Sequence, residues 1–226
     1  MASEVVARYC EVRDKLFSAC AAAGRSIDDV RLVSVSKHAD IDDVQSLYDI
    51  GVRDFGESRA PELLRKSAAL PGDIVWHFIG PIQANKVRKI VSCAKVIHSA
   101  ASREVIERID RICGEEKKFP KLLIEVNISG EESKGGFSPA EVPEAVKLAL
   151  SCRNFELVGL MCMAPLDAGH EQLLEIFSSL RALAAKLEKD FDCKLPELSM
   201  GMSGDFPEAI ACGATMVRIG TAIFGR

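Results

Sequence analysis

The chain has 226 residues, 48% hydrophobic and 27% charged, with a formal net charge of −4. That is enough for one large core, is short for two full domains, and is ordinary for a globular protein. The mild acidity and the lack of a basic run argue against a nucleic-acid partner, since the longest basic cluster, Lys117-Lys118, sits beside Glu115-Glu116.

In chain order, Glu4 to Ala23 carries a helical stripe of Val5, Val6, Tyr9, Val12, Leu16, Phe17 and Cys20, stopped by Gly24. Arg31 to Ser36 reads as a buried strand that runs into Lys37. A helix follows over 41–50, with Asp40 at its N-cap, Asp42 and Asp43 in its first turn and Gly51 as its stop. The alternation then repeats: strand 53–55 with helix 61–70, strand 74–79 with helix 83–91, and strand 95–98 with a helix capped by Ser102. A fifth strand covers 121–127. After a polar loop, Ser138-Pro139-Ala140-Glu141 has the form of a capping box that starts the next helix. Strand 157–161 precedes a long helix bearing Leu173, Leu174, Phe177, Leu180, Leu183, Ala184 and Leu187. Strand 197–199, a brief helix capped at Asp205-Phe206-Pro207-Glu208, and strand 215–219 complete the series.

Eight strand–helix alternations predict a single (β/α)8 TIM-type barrel, one domain over residues 1–226, with the extra N-terminal helix covering the gap where an eighth helix is missing. No stretch reaches the roughly 18 apolar residues of a membrane span. Met1-Ala2-Ser3-Glu4 lacks the segments of a signal peptide. The eight cysteines show no C-x-x-C spacing and read as small buried hydrophobes of a reducing compartment. The expectation is a cytoplasmic, soluble protein with no metal site.

In such a barrel the loops after the strands share one face, and that face holds the chemistry. The residues collected there are Lys37; Gly56-Glu57-Ser58-Arg59; the stretch from Gly80 to Lys86; Ser99; Asn127 and the loop with Lys134; Met163-Ala164-Pro165; Ser199 to Gly204; and Gly220-Thr221 behind Arg218. The last two loops have the composition of an anion site: small residues admit an oxyanion to backbone N–H groups, and hydroxyls add donors. Barrel phosphate sites fall after strands seven and eight, where these residues lie. A strand-exit lysine held partly desolvated can act as a Schiff-base nucleophile. Facing a phosphate cradle across the barrel mouth, it suits a phosphorylated carbonyl compound. Two classes fit: a Schiff-base aldolase on a sugar phosphate, or a protein of pyridoxal 5′-phosphate (PLP). His77 reads as a satisfied core or rim histidine, and His38 points away from Lys37 if strand alternation continues.

Longer motifs narrow the choice. Val33-Ser34-Val35-Ser36-Lys37, Arg53-Asp54-Phe55-Gly56-Glu57, Trp76-His77-Phe78-Ile79-Gly80, Gln83-Ala84-Asn85-Lys86, the run from Glu125 to Lys134, Gly159-Leu160-Met161, Leu198 to Ser203 and Val217 to Gly225 closely resemble the PLP homeostasis protein family, similar in fold to the barrel domain of alanine racemase. The resemblance implies that Lys37 carries PLP as an internal aldimine. It implies a phosphate held against Ser199, Met200, Gly201, Ser203, Gly220 and Thr221, and Arg218 beside the pyridine nitrogen. A guanidinium is no acid at ordinary pH, so that nitrogen stays unprotonated and the cofactor is a poor electron sink. The resemblance implies no catalytic residues and no enzymatic activity. The implied role is buffering PLP or delivering it to PLP-dependent apoenzymes, with effects on amino-acid and keto-acid metabolism, by a monomer. The alternative is a low-activity PLP-dependent amino-acid racemase or lyase. Ser58, Arg59 and Pro81 stand where the family has Asn, Tyr and His, which puts ring contacts from those loops in question.

Overall fold

The computed structural model describes residues 4–131 and 135–225. Its strands are β1 (Arg31–Val35), β2 (Asp54–Glu57), β3 (Val75–Phe78), β4 (Val96–Ala100), β5 (Lys121–Glu125), β6 (Glu156–Met161), β7 (Glu197–Ser199) and β8 (Met216–Ile219). All pairs are parallel and consecutive, and β8 returns to β1 through Val33↔Arg218 and Ser34↔Ile219, so the sheet closes as a (β/α)8 barrel.

The helices are α1 (Glu4–Ala22), α2 (Ile41–Asp49), α3 (Ala60–Ala69), α4 (Val87–Cys93), α5 (Arg103–Glu116), α6 (Val142–Ser151), α7 (His170–Phe191), α8 (Phe206–Ala211) and α9 (Thr221–Phe224). Helix α9 is a single turn. Helix α1 packs over it and over α8, with the Arg8 guanidinium donating to the Ile223 carbonyl at 2.7 Å. That contact is how the N-terminal helix fills the gap in the outer ring.

The main apolar core lies between sheet and helices. Phe55, Leu122 and Leu160 of the strands meet Leu63, Ile106 and Val146 of the helices, all fully buried. A separate small cluster of Val96, Leu123, Val158 and Met161 packs apart from it. At roughly 2 kcal/mol per fully buried large apolar side chain, the outer layer dominates the burial term.

Three local readings differ from the structure. Ser138 and Glu141 do meet, with the Ser138 N–H and Oγ–H both donating to Glu141 Oε2 at 2.9 and 2.7 Å. These close a turn, however, and α6 starts only at Val142, where Pro143 occupies the first turn without needing a donor. The helix expected over 83–91 begins as a 3-10 turn at Ala84–Lys86 before α4. The cysteines divide: Cys20, Cys113, Cys162 and Cys212 are buried, Cys93, Cys152 and Cys193 are half-buried, and Cys10 is exposed on α1. Among the described residues no helix is long and apolar enough to cross a membrane.

Candidate functional site

The C-terminal ends of the strands surround a cavity of about 470 Å³, within the roughly 300–1,000 Å³ range of small-molecule sites. Its wall includes Lys37, Ser203, Arg218, Gly220 and Thr221, brought from the loops after β1, β7 and β8 and from β8 itself. Val35, Ile79, Met163, Met202 and Leu173 add apolar surface, and Ser58 and Pro81 also line it. Arg59 sits outside, at the N-cap of α3. Lys134 lies outside the described residues.

Lys37 is exposed rather than partly desolvated. It sits two residues past the end of β1, in a turn where the Ala39 N–H donates to the Ser36 carbonyl at 2.9 Å. Behind it lies a buried ion pair. Lys66 Nζ of α3 is 2.6 Å from Glu57 Oε1 and 2.5 Å from the Ser36 carbonyl, and Ser36 Oγ–H donates to the same carboxylate at 2.8 Å. Lys66 and Glu57 are both fully buried. The peptide that presents Lys37 is thereby tied to β2 and α3.

Arg218 is only 4% exposed, and burial pushes its guanidinium below the usual arginine range. Cys162, Asp205 and Glu125 nearby favour the charged form. Its Nη1 donates to Ser199 Oγ at 2.5 Å and its Nη2 to the Cys162 carbonyl at 3.0 Å. Burial raises the Glu125 carboxyl, an effect that the Arg218 charge opposes.

Ser199, Met200 and Gly201 are not on the cavity wall. Ser199 is fully buried, with its Oγ taken by Arg218 and His98. Gly201 has φ +92, and a Cβ there would lie 2.6 Å from Ala209 Cβ, so the residue lets the loop pass against α8. The loop's shape is fixed by Asp205, whose Oδ1 accepts from the Met202 N–H and whose own N–H donates to the Met202 carbonyl at 3.2 Å. Gly80 also has a steric reason, since a Cβ there would meet the Ser58 carbonyl at 2.1 Å.

Sequence reasoning missed His98 as part of the site. It is fully buried, joining His77 to Ser199 across the barrel, and burial holds it well below the ordinary imidazole range. The available signal was alternation along β4, which puts His98 on the same face as Val96.

A sequence model of the alanine racemase N-terminal domain family matches residues 19–226. The pyridoxal phosphate homeostasis protein of Synechocystis sp. is 43% identical over 200 residues, covering 87% of this chain and 91% of that one. The protein of the same name from Aquifex aeolicus is 37% identical over 219 residues, covering 96% of each. The solved structure of PipY from Synechococcus elongatus with PLP bound has a TM-score of 0.88 at 35% identity, covering 98% of this chain and 100% of that one. With sequence identity of this order along nearly its whole length, the chain belongs to the pyridoxal phosphate homeostasis protein family.

Proposed function

We propose that this chain, as one domain, holds PLP in the 470 Å³ cavity through the Lys37 amine, as an internal aldimine. The observation that carries the reading is that Lys37 and the buried Arg218 reach one cavity that also has the hydroxyls of Ser203 and Thr221 on its wall. The residues fit the group. Gly220 and Thr221 both line the cavity, and the missing Cβ lets Gly220 pass close to β1, since a Cβ there would lie 3.1 Å from the Val35 carbonyl. Apolar side chains supply faces for a planar ring. Bound there, the cofactor supplies an aldehyde carbon that condenses with amines.

Arg218 faces the ring nitrogen and, as a donor with no acidic proton at ordinary pH, holds that nitrogen unprotonated. Ser203, Gly220 and Thr221 take the phosphate. Ser199, Met200 and Gly201 serve from behind, Ser199 through Arg218 and the other two through the shape of the loop. The role is cytoplasmic PLP homeostasis by a monomer that buffers the cofactor or delivers it to apoenzymes and has no catalysis of its own.

The test is spectroscopic. Purified protein loaded with PLP should be yellow, and Lys37→Ala should lose the covalent band. If Lys37→Ala retained PLP covalently at the same stoichiometry, the attachment site would be wrong. Amino-acid racemisation or β-elimination well above that of free PLP would overturn the non-catalytic role.

A further inference from the structure

Five side chains form an unbroken line through the barrel. Asp54 Oδ1 is 3.0 Å from His77 Nε2, and His77 Nδ1 is 2.9 Å from His98 Nε2. His98 Nδ1 is 2.8 Å from Ser199 Oγ, and Arg218 Nη1 is 2.5 Å from that same oxygen. The residues come from β2, β3, β4, β7 and β8, so the line crosses the barrel instead of following a strand. His77, His98 and Ser199 are fully buried. At the far end Asp54 pairs with Arg31, which also reaches Glu197.

Counting protons gives the line a direction. A guanidinium only donates, so Arg218 donates to Ser199 Oγ. A carboxylate only accepts, so His77 Nε2 carries the hydrogen facing Asp54. A neutral imidazole has one N–H, which leaves His77 Nδ1 bare to accept from His98 Nε2–H. His98 Nδ1 is then bare and takes the Ser199 hydroxyl proton. Each of the four contacts holds one proton, and the cation at one end and the carboxylate at the other impose the same order. The reverse order would set a bare Nε2 against the Asp54 carboxylate and leave the Ser199 proton without an acceptor. Burial favours neutral imidazoles: it lowers His77, with Asp54 opposing, and lowers His98 further, with the charges of Arg218 and Arg31 acting in the same direction.

We infer that Asp54, His77, His98 and Ser199 are positioning residues for Arg218, a one-way hydrogen-bond chain that locks the guanidinium at the cavity and ties it to the Asp54–Arg31–Glu197 cluster at the opposite end of the barrel. The Cys162 carbonyl fixes the second amino group. Arg218 therefore has little freedom to follow a ligand, and its donor direction is set before anything binds. The consequence for the cofactor rests on the reading that Arg218 meets the ring nitrogen of PLP, whereas the tautomers of the chain do not depend on it.

The experiment begins on unloaded protein labelled with 15N-histidine. Near neutral pH, His77 and His98 should both appear as neutral Nε2–H tautomers. An Nδ1–H tautomer or a cation at either position would overturn the chain. In PLP-loaded protein, His98→Leu and Ser199→Ala should release the cofactor about tenfold faster, the scale of one lost hydrogen bond to a charged group. Both should also move the 15N resonance of the labelled cofactor ring. Arg53→Gln, at the Asp54 end but paired with Asp73 outside the line, should change neither. Unchanged release and resonance in both folded variants would overturn the positioning role. If wild-type protein took up no PLP, the proposed cofactor would fall, and the histidine tautomers would still decide the chain.

Discussion

Lys66→Met tests whether the peptide carrying Lys37 is held by the buried ion pair behind it. Lys66 and Glu57 are both fully buried, and Glu57 Oε2 has no hydrogen-bond partner, so the Lys66 ammonium is the main compensation for that carboxylate. Methionine keeps the stem volume and deletes the charge. Glu57 is left as a buried carboxylate with only the Ser36 hydroxyl, and the Ser36 carbonyl loses its 2.5 Å donor. Removing one partner of a buried pair costs about 3–5 kcal/mol, a large share of a typical stability of about 5–15 kcal/mol. Glu57→Leu combined with Lys66→Met removes the stranded charge and should recover most of that loss. The remaining deficit of about 1–3 kcal/mol reflects the charge-assisted bond lost from the Ser36 carbonyl, which keeps the Ala39 N–H, while Ser36 Oγ still has the Gly56 carbonyl at 3.3 Å. Urea unfolding measures both variants. A loss under about 1 kcal/mol in Lys66→Met, or a double variant no more stable than the single, would refute the reasoning.

Two further outcomes follow from the geometry. Gly201→Ala forces a side chain into φ +92 and against Ala209, costing about 1–3 kcal/mol in strain and a similar amount in overpacking; Gly72→Ala, with open space and no positive φ, is the matched control and should be near neutral in thermal unfolding. Because His77 and His98 bind protons less readily folded than unfolded, the unfolded chain takes up protons below the ordinary value of 6.5 that the folded chain refuses. Stability present at neutral pH therefore falls as pH drops through that value, and His98→Leu should flatten the fall; Glu125, raised by burial, acts with the opposite sign at lower pH and cancels in the difference. Parallel urea midpoint-versus-pH curves for wild type and variant would count against the buried neutral pair.

The barrel was legible in the sequence because each strand is a short apolar run followed by a helix with its own stop or cap, and eight such units have one closed arrangement. Lys37, Ser203, Gly220 and Thr221 were legible because a barrel gathers every strand exit on one face. Ser199 and His98 were harder. Their chemistry depends on which residue stands across the barrel, and the 101 residues separating them leave no local pattern. The start of α6 was misplaced for a related reason: Ser138 and Glu141 satisfy each other in a turn as readily as at a helix end, and only the following residues decide which.

The two cations at the cavity are held in opposite ways, and the contrast bears on what the site is for. Arg218 is buried, bonded on two of its nitrogens and fixed in direction by groups deep in the barrel. Lys37 is exposed, in a turn whose preceding peptide is tied down while its own side chain is solvated. A catalytic site gains from excluding water around the reacting atoms. A carrier needs the reverse at its covalent link, because an incoming amine or water must reach that carbon for the cofactor to leave. The cavity wall also includes Pro81, Pro165, Thr221 and a Leu166 that is 98% exposed; under the proposed attachment the link sits at the exposed lysine and the rigid recognition at the buried arginine. Release controlled from the Lys37 side and retention set from the Arg218 side is the division of labour that the proposed carrier role requires.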